Sequence, residues 1–254
     1  MSETKVFPAR ISEALIKSVF TLGRLRNNTS TPLSKITIFS GFMVGAVDGG
    51  DIIETTSTLT LNTGVVGVNG LDAGSLAADT WYYIWLIKQA GGTVAALAST
   101  SHTSPTMPSG YVFKRVVGAI ETNGSGDLRR IEQAGSMVVY TDSAYTFTSS
   151  FPGSLQDFNL SGYVPAHSMH VLLGFFIYCY DGDTGYYYYA PAALYDGGSV
   201  QFMANACDSH DDNDNVKTFN SVWLPIDENR HVCIGSSGDR SSSSVRVQGY
   251  TIDP

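Results

Sequence analysis

The densest run of oxygen-bearing side chains is residues 208 to 215, DSHDDNDN, which opens on Asp208 and includes Asp211. Calcium-like cations take six to eight oxygen ligands, and such a run supplies many. The ligand spacing and the glycine of a calcium-binding loop are missing, so the plainer reading is a solvated loop tip. An ion on a trimer axis is the alternative. Asp181 and Asp183, in DGDTG, reproduce only the start of such a loop.

Catalytic patterns are weaker still. His102, His167, His170, His210 and His231 are scattered, and none has the His partner four residues away that a zinc-binding helix uses. No Gly-x-Ser-x-Gly elbow presents a nucleophile. The glutamates, Glu3, Glu13, Glu54, Glu121, Glu132 and Glu228, stand in no recognisable signature. A glycosidase needs two carboxylates about 5 to 10 Å apart. Here only folding or subunit contact can make that pair, which leaves a polysaccharide depolymerase as a minor reading. Gly124 to Gly126 sits in a turn with no helix behind it, so no phosphate cradle is expected. The sequence therefore predicts no enzyme, no cofactor and no metal site.

Aromatic residues offer contact chemistry instead. Tyr186 to Tyr189 follow Tyr178 and Tyr180 on the preceding strand, and successive residues of a strand point to opposite faces. One set can fill a core while the other, Tyr187 and Tyr189, is exposed to stack on sugar rings or on a partner subunit. With Asp181, Asp183, Asp208 and Asp211 they form the predicted surface-contact set. Cross-strand packing is the plainer reading of the tyrosines. Trp81, Trp85 and Trp223 are expected in the core.

The elements that carry these residues read mainly as strands. Ile11, Leu15, Val19 and Leu22 recur at spacings of three and four, which predicts a short helix over 8 to 26 ending near Gly23. Lys17, Arg24 and Arg26 make it basic. Residues 1 to 32 are read as an arm for attachment or assembly, closed by the linker NNTSTP; an ordinary packed helix is the alternative. Alternation at Ile36 and Ile38 and at Leu59 and Leu61 predicts strands. WYYIWLI, 81 to 87, is apolar on both parities, as in a strand covered on both faces. The turn QAGG returns it as 93 to 97 in a hairpin. Residues 111 to 120 and 128 to 132 follow, separated by the turn NGSGD. In the second half, 170 to 180 and 186 to 190 predict a second hairpin around DGDTG. Strands at 198 to 204, 221 to 224, 231 to 234 and 245 to 252 complete the set. The expected fold is all-β: antiparallel, jelly-roll-like sandwich modules over 33–135 and 136–254, or one continuous sandwich with long loops.

Composition agrees with that class. Only 15% of the 254 residues are charged, with 26 Gly and 14 Tyr, which favours strands and turns over helices. A net charge of −8 opposes nucleic-acid binding. Cys179, Cys207 and Cys233 are odd in number and read as incidental thiols of a reducing compartment. The apolar run 170 to 180 is too short to span a bilayer, and no secretion signal is visible. No membrane partner is expected.

Residues 70 to 87, GLDAGSLAADTWYYIWLI, and 105 to 120, PTMPSGYVFKRVVGAI, resemble a module of tailed-bacteriophage virion structural proteins. These include tail fibres, head fibres and capsid decoration proteins. VRVQGYTI, 245 to 252, is similar to closing strands of the same group. The resemblance covers about a third of the chain and departs beyond Gly135. It implies a β-sandwich, common homotrimeric assembly, contact with other virion proteins (capsid, portal or tail components) and residence in the virion after synthesis in the host cytoplasm. It carries no catalytic residues. A receptor- or glycan-binding role toward the host surface is the alternative.

Overall fold

A computed structural model describes residues 23–47, 51–142, 145–148, 154–179, 184–191, 202–208, 216–238 and 242–252. The predicted arm residues Ile11, Leu15, Val19 and Leu22, and the loop residues Asp181, Asp183 and Asp211, lie outside them. The described residues are all-β, with no helix. The chain forms two compact units that part between Ser136 and Met137.

The first unit holds β1 (Arg24–Asn27), β2 (Lys35–Ile38), β3 (Met43–Gly45), β4 (Ile52–Glu54), β5 (Leu59–Asn62), β6 (Gly70–Leu71), β7 (Trp81–Gln89), β8 (Val94–Ser99), β9 (Tyr111–Glu121) and β10 (Ile131–Ala134). One sheet runs β10-β1-β2-β5, a second β6-β8-β7-β9, and β3 pairs with β4. All pairings are antiparallel except β6 with β8. WYYIWLI is the centre of the second sheet, flanked by β8 and β9, and Tyr82 to Ile87 are all buried. Each large side chain removed from water there contributes roughly 2 to 3 kcal/mol. The predicted hairpin forms: Gln89 N–H donates to Thr93 O and Gly92 N–H to Gln89 O, both at 2.9 Å, with Gly92 at φ +97°. That left-handed conformation favours glycine.

The two large sheets of this unit approach closely at Gly118. A Cβ there would lie 2.7 Å from Leu25 Cδ2 and 2.9 Å from Gln133 Oε1. The buried Gln133 side chain links β10 to β9 by donating to Val117 O at 2.6 Å. One expectation is corrected here. Arg24, Leu25 and Arg26 do not end a helix; they are strand β1, paired with β2 and β10. Leu25 is fully buried while Arg24 and Arg26 lie against the Phe39 ring at 5.5 and 5.3 Å. Two-residue alternation, with long-range pairing on both sides, outweighs the helical spacing that ran into this segment.

The second unit holds β11 (Met137–Tyr140), β12 (Tyr145–Thr148), β13 (Gln156–Asn159), β14 (His170–Cys179), β15 (Thr184–Pro191), β16 (Phe202–Asp208), β17 (Val216–Pro225), β18 (His231–Gly238) and β19 (Ser242–Thr251). They make two antiparallel sheets, β11-β19-β14-β17, with β12 also on β19, and β13-β18-β15-β16. The strand orders β12-β19-β14-β17 and β13-β18-β15-β16 are those of a jelly roll. β14 alternates except at Gly174: Val171, Leu173, Phe175, Ile177 and Cys179 are buried, Leu172, Phe176 and Tyr178 are partly exposed, and Gly174 is buried.

The predicted hairpin of 170 to 190 does not form. β14 bonds to β17 and β19, while β15 bonds to β16 and β18. Strands consecutive in sequence therefore sit in opposite sheets. A turn-rich linker allows either outcome. Here aromatic packing between the two sheets holds β14 and β15 face to face rather than edge to edge.

Candidate functional site

Each tyrosine of the YYYY run has a packing role. Tyr187 is 0% exposed. Its ring lies 5.1 Å from that of Phe175, and its hydroxyl donates to Phe176 O at 2.9 Å. It is thus a core residue, not the surface-contact residue expected. Tyr189 is half-buried and stacks on Phe175 at 6.5 Å. The opposite face of β15 is also covered. Tyr188 packs on Leu155, Ala190 and Cys233, and its ring stacks on Tyr186 at 6.5 Å. The strand thus carries packed rings on both faces, fully buried at Tyr187 and partly buried at Tyr186, Tyr188 and Tyr189. Asp208 ends β16 opposite Thr184.

Ionisable groups gather at three places. In the first unit a cleft of about 600 Å³ opens between β4, the segment 55–59 and the β7–β8 turn. Lys88 Nζ donates there to Asp51 Oδ1 and to Ile52 O, both at 2.9 Å. The Lys88 hydrogen bond holds the Asp51 carboxyl below its ordinary range. Thr56, Ser57, Thr93 and Glu54 add hydroxyls and a carboxylate to the walls. The volume is that of a small-ligand site. The ammonium of Lys88 is already committed to its two oxygens, which leaves it poorly placed as a base.

Glu121, at the end of β9, is buried, and Arg129 Nε donates to its Oε2 at 2.9 Å. Burial raises its carboxyl to about 7, Arg129 pulls it down, and Asp79 pushes it up. Burial wins because a charged carboxylate loses more hydration than one guanidinium returns. A raised carboxyl beside a second carboxylate is the signature of a general acid. The surroundings fit a structural role instead. The next residue, Thr122, donates to Ala77 O at 2.6 Å, and Arg129 N–H donates to Glu121 O at 2.9 Å, which knits the turn NGSGD to the strand.

In the second unit His231 Nδ1 lies 2.6 Å from Asp157 Oδ2, and His231 N–H donates to Asp227 Oδ1 at 2.7 Å. Cys233, two residues along the strand, is buried. Burial raises its thiol, and the Asp157 and Asp227 charges push it further up. A cysteine nucleophile needs its thiol lowered, so this grouping has the wrong electrostatics for thiolate chemistry. Among the described residues there is no group of three metal-ligating side chains and no helix long and apolar enough to cross a membrane.

Sequence reasoning missed the sheet face on which Trp223 sits. Trp223 was expected in the core, but it lies half-buried across from Leu172, and Phe176 faces Phe219 in the same orientation two pairs along. HVLLGFFIYC is apolar on both parities, so the sequence of β14 carried no alternation that could mark its outward face.

No family model matches the chain, and no curated protein matches it. Among solved structures, the infectious bursal disease virus VP2 subviral particle aligns over 97% of this chain and 78% of its own, at 15% identity and a TM-score of 0.22. The infectious bursal disease virus Gx strain aligns over 90% and 68%, at 15% identity and a TM-score of 0.19. Likeness at these scores carries no argument about fold or function.

Proposed function

We propose that the chain is a non-enzymatic structural protein of a tailed-phage virion, a fibre or decoration subunit whose work is contact with copies of itself and with other virion proteins. One observation supports this reading most. The two stretches that resemble the phage module, 70 to 87 and 105 to 120, fold next to each other. β7 and β9 pair directly, from Trp81 opposite Glu121 to Gln89 opposite Tyr111. The resemblance therefore coincides with one sheet rather than with scattered words. The Glu121 cluster adds support, because its hydrogen bonds knit a turn to the end of a strand. Residues 1 to 22, apolar at helical spacing and carrying Lys17, are the proposed attachment segment.

The test is to purify particles produced from the genome that carries this sequence and to quantify the chain by mass spectrometry. A fixed copy number per particle is expected, with antibody labelling at one place on the virion. Recovery only in the soluble lysate would overturn the reading. A chain lacking residues 1 to 22 should still fold and should no longer incorporate.

A second reading rests on the cleft lined by Asp51, Glu54, Thr56, Ser57 and Thr93. Hydroxyls and carboxylates on an open wall suit a host-surface glycan, for which a glycan array with the full chain is the direct assay. Binding lost on Thr93→Arg would favour this role. An array without signal would remove it.

A further inference from the structure

The outward face of the β10-β1-β2-β5 sheet gathers positive charge. The inward positions of β1 and β2 are Leu25, Asn27, Ile36 and Ile38, all buried. The outward positions are therefore Arg24 and Arg26 on β1 and Lys35 and Thr37 on β2. β5 adds Thr60 and Asn62, which pair with Thr37 and Lys35. β10 adds Glu132 and Ala134, opposite Arg26 and Arg24. Arg130, exposed, stands directly before β10. The face thus sets four cations against one carboxylate, in a chain of net charge −8.

The two β1 cations are held in place rather than loose. Arg24 and Arg26 both lie over the Phe39 ring, with their guanidinium carbons 5.5 and 5.3 Å from its centre. Arg24 Nη2 donates to Glu132 Oε1 at 2.5 Å, so the one acid of the face is taken. Arg26 is left without an acid. Its Nε is closed to water and donates to no acceptor among the described residues. A buried donor left unbonded is costly, and each one calls for an explanation. Among the described residues no ion pair involves Arg26 or Lys35.

We propose that this face docks an acidic, extended segment of a partner protein, whose carboxylates meet Arg26 and Lys35. The inference rests on the contact role proposed above and gives that contact a surface and a partner chemistry. Three arguments select the occupant. First, charge: the unpaired cations of the face complement an acid, and the orphaned Nε of Arg26 needs an oxygen. Second, the kind of anion: Glu132 on Arg24 shows that a carboxylate fits here. A guanidinium fork takes a carboxylate by two parallel hydrogen bonds, and the Phe39 ring already orients that fork. Third, spacing: Arg24 and Arg26 stand two residues apart on one strand, about 6.8 Å, and Lys35 lies about 8 Å from Arg26 across the sheet. Carboxylates on alternate residues of an extended chain recur at the same ~6.8 Å. Clusters of arginine are a recurring means of reading acidic motifs. A nucleic-acid duplex, with one charge per ~1.7 Å, meets the negative field of the whole chain instead.

The test uses the full chain and a labelled synthetic peptide of alternating glutamate and serine, with a glutamine and serine peptide as its neutral counterpart. Fluorescence anisotropy should show saturable binding of the acidic peptide, weakened by salt, and none of the neutral one. The double variant Arg26→Gln, Lys35→Gln should raise the Kd about tenfold or more, with an unchanged circular dichroism spectrum. Where the double variant fails to fold, Lys35→Gln alone should still weaken binding severalfold. Arg246→Gln, a cation of the other unit, is the control and should bind as the parent does. Equal binding of the two peptides would overturn the proposal, as would variants at 26 and 35 that bind like the parent. Tighter binding of a sulfated oligosaccharide or of DNA than of the acidic peptide would overturn the choice of occupant. No peptide binding by a chain found in particles at fixed copy number would sink this face alone. Peptide binding at Arg26 and Lys35 by a chain absent from particles would sink the virion reading alone.

Discussion

The Tyr187 hydroxyl donates to the Phe176 backbone carbonyl at 2.9 Å and lies 3.4 Å from Ser244 O, so one side chain ties β15 to two strands of the facing sheet. Its ring fills the space against Phe175. Tyr187→Phe keeps the ring and removes the donor. It should cost about 1 kcal/mol, the usual net value of one buried hydrogen bond. Tyr187→Ala also removes the ring and should cost about 3 to 5 kcal/mol. Urea unfolding of the pair checks both. Equal losses would show that the hydroxyl, not the ring, carries the contact.

The same contact shows where sequence reasoning reached its limit. WYYIWLI was legible as a strand covered on both faces, because an apolar run on both parities has few other uses. Tyr187 was misplaced because alternation fixes only that neighbours point apart. Which parity points inward depends on which sheet the strand joins, and DGDTG can close a hairpin or cross between sheets. β1 was hidden by the helix predicted over 8 to 26 from the spacing of Ile11, Leu15, Val19 and Leu22, because a strand of four residues carries little periodic signal of its own. The cleft around Lys88 and Asp51 was not legible at all. It is assembled by β4, a loop and a hairpin turn, and its salt bridge joins residues 37 positions apart.

Glu121 makes stability depend on pH with a definite sign. Its folded value of about 7 lies above the ordinary 4.5, so between those values the folded chain holds a proton that the unfolded chain has lost. Its contribution is fully present below about pH 4.5, falls as pH rises, and is gone above about 7. The shift corresponds to a contribution on the order of 3 kcal/mol. Asp51, held low by Lys88, acts in the opposite direction at acid pH, so the parent must be compared with a variant. Glu121→Gln should flatten the fall between pH 5 and pH 8 in paired denaturation curves. Parallel curves for parent and variant would show that Glu121 titrates normally.

Burial of Cys179 and Cys233 predicts silent thiols. Both side chains are closed to solvent, and the raised Cys233 thiol supplies little thiolate at neutral pH. In a Cys207→Ser chain, a thiol-reactive disulfide reagent should label neither residue on the time scale of free cysteine. Both should react in full once the chain is unfolded in urea. Fast labelling of the native chain at Cys233 would mean that the cover provided by Leu155 opens readily.

Gly249 provides the sharpest test of how β11 is held. It pairs with Val139 on one side and with Leu172 on the other. A Cβ built on it falls inside the contact distance of Val138 O and lies 3.2 Å from Val139 Cα. The neighbouring atoms are backbone, which cannot rotate away as a side chain does, so Gly249→Ala must push β11 off β19. Overpacking of this kind costs about 1 to 3 kcal/mol. The displaced strand would also lose its amide bonds to β19. The expected result is a destabilised chain in which amide exchange accelerates at 137–140 before it does in β14, whose pairing with β17 is untouched. At Gly174 the nearest atoms belong instead to the Gln248 side chain, so Gly174→Ala should be milder and should leave β11 protected. Equal exchange at β11 in both variants would mean that side-chain crowding on the sheet face, rather than backbone approach at β11, limits what residue 249 can be.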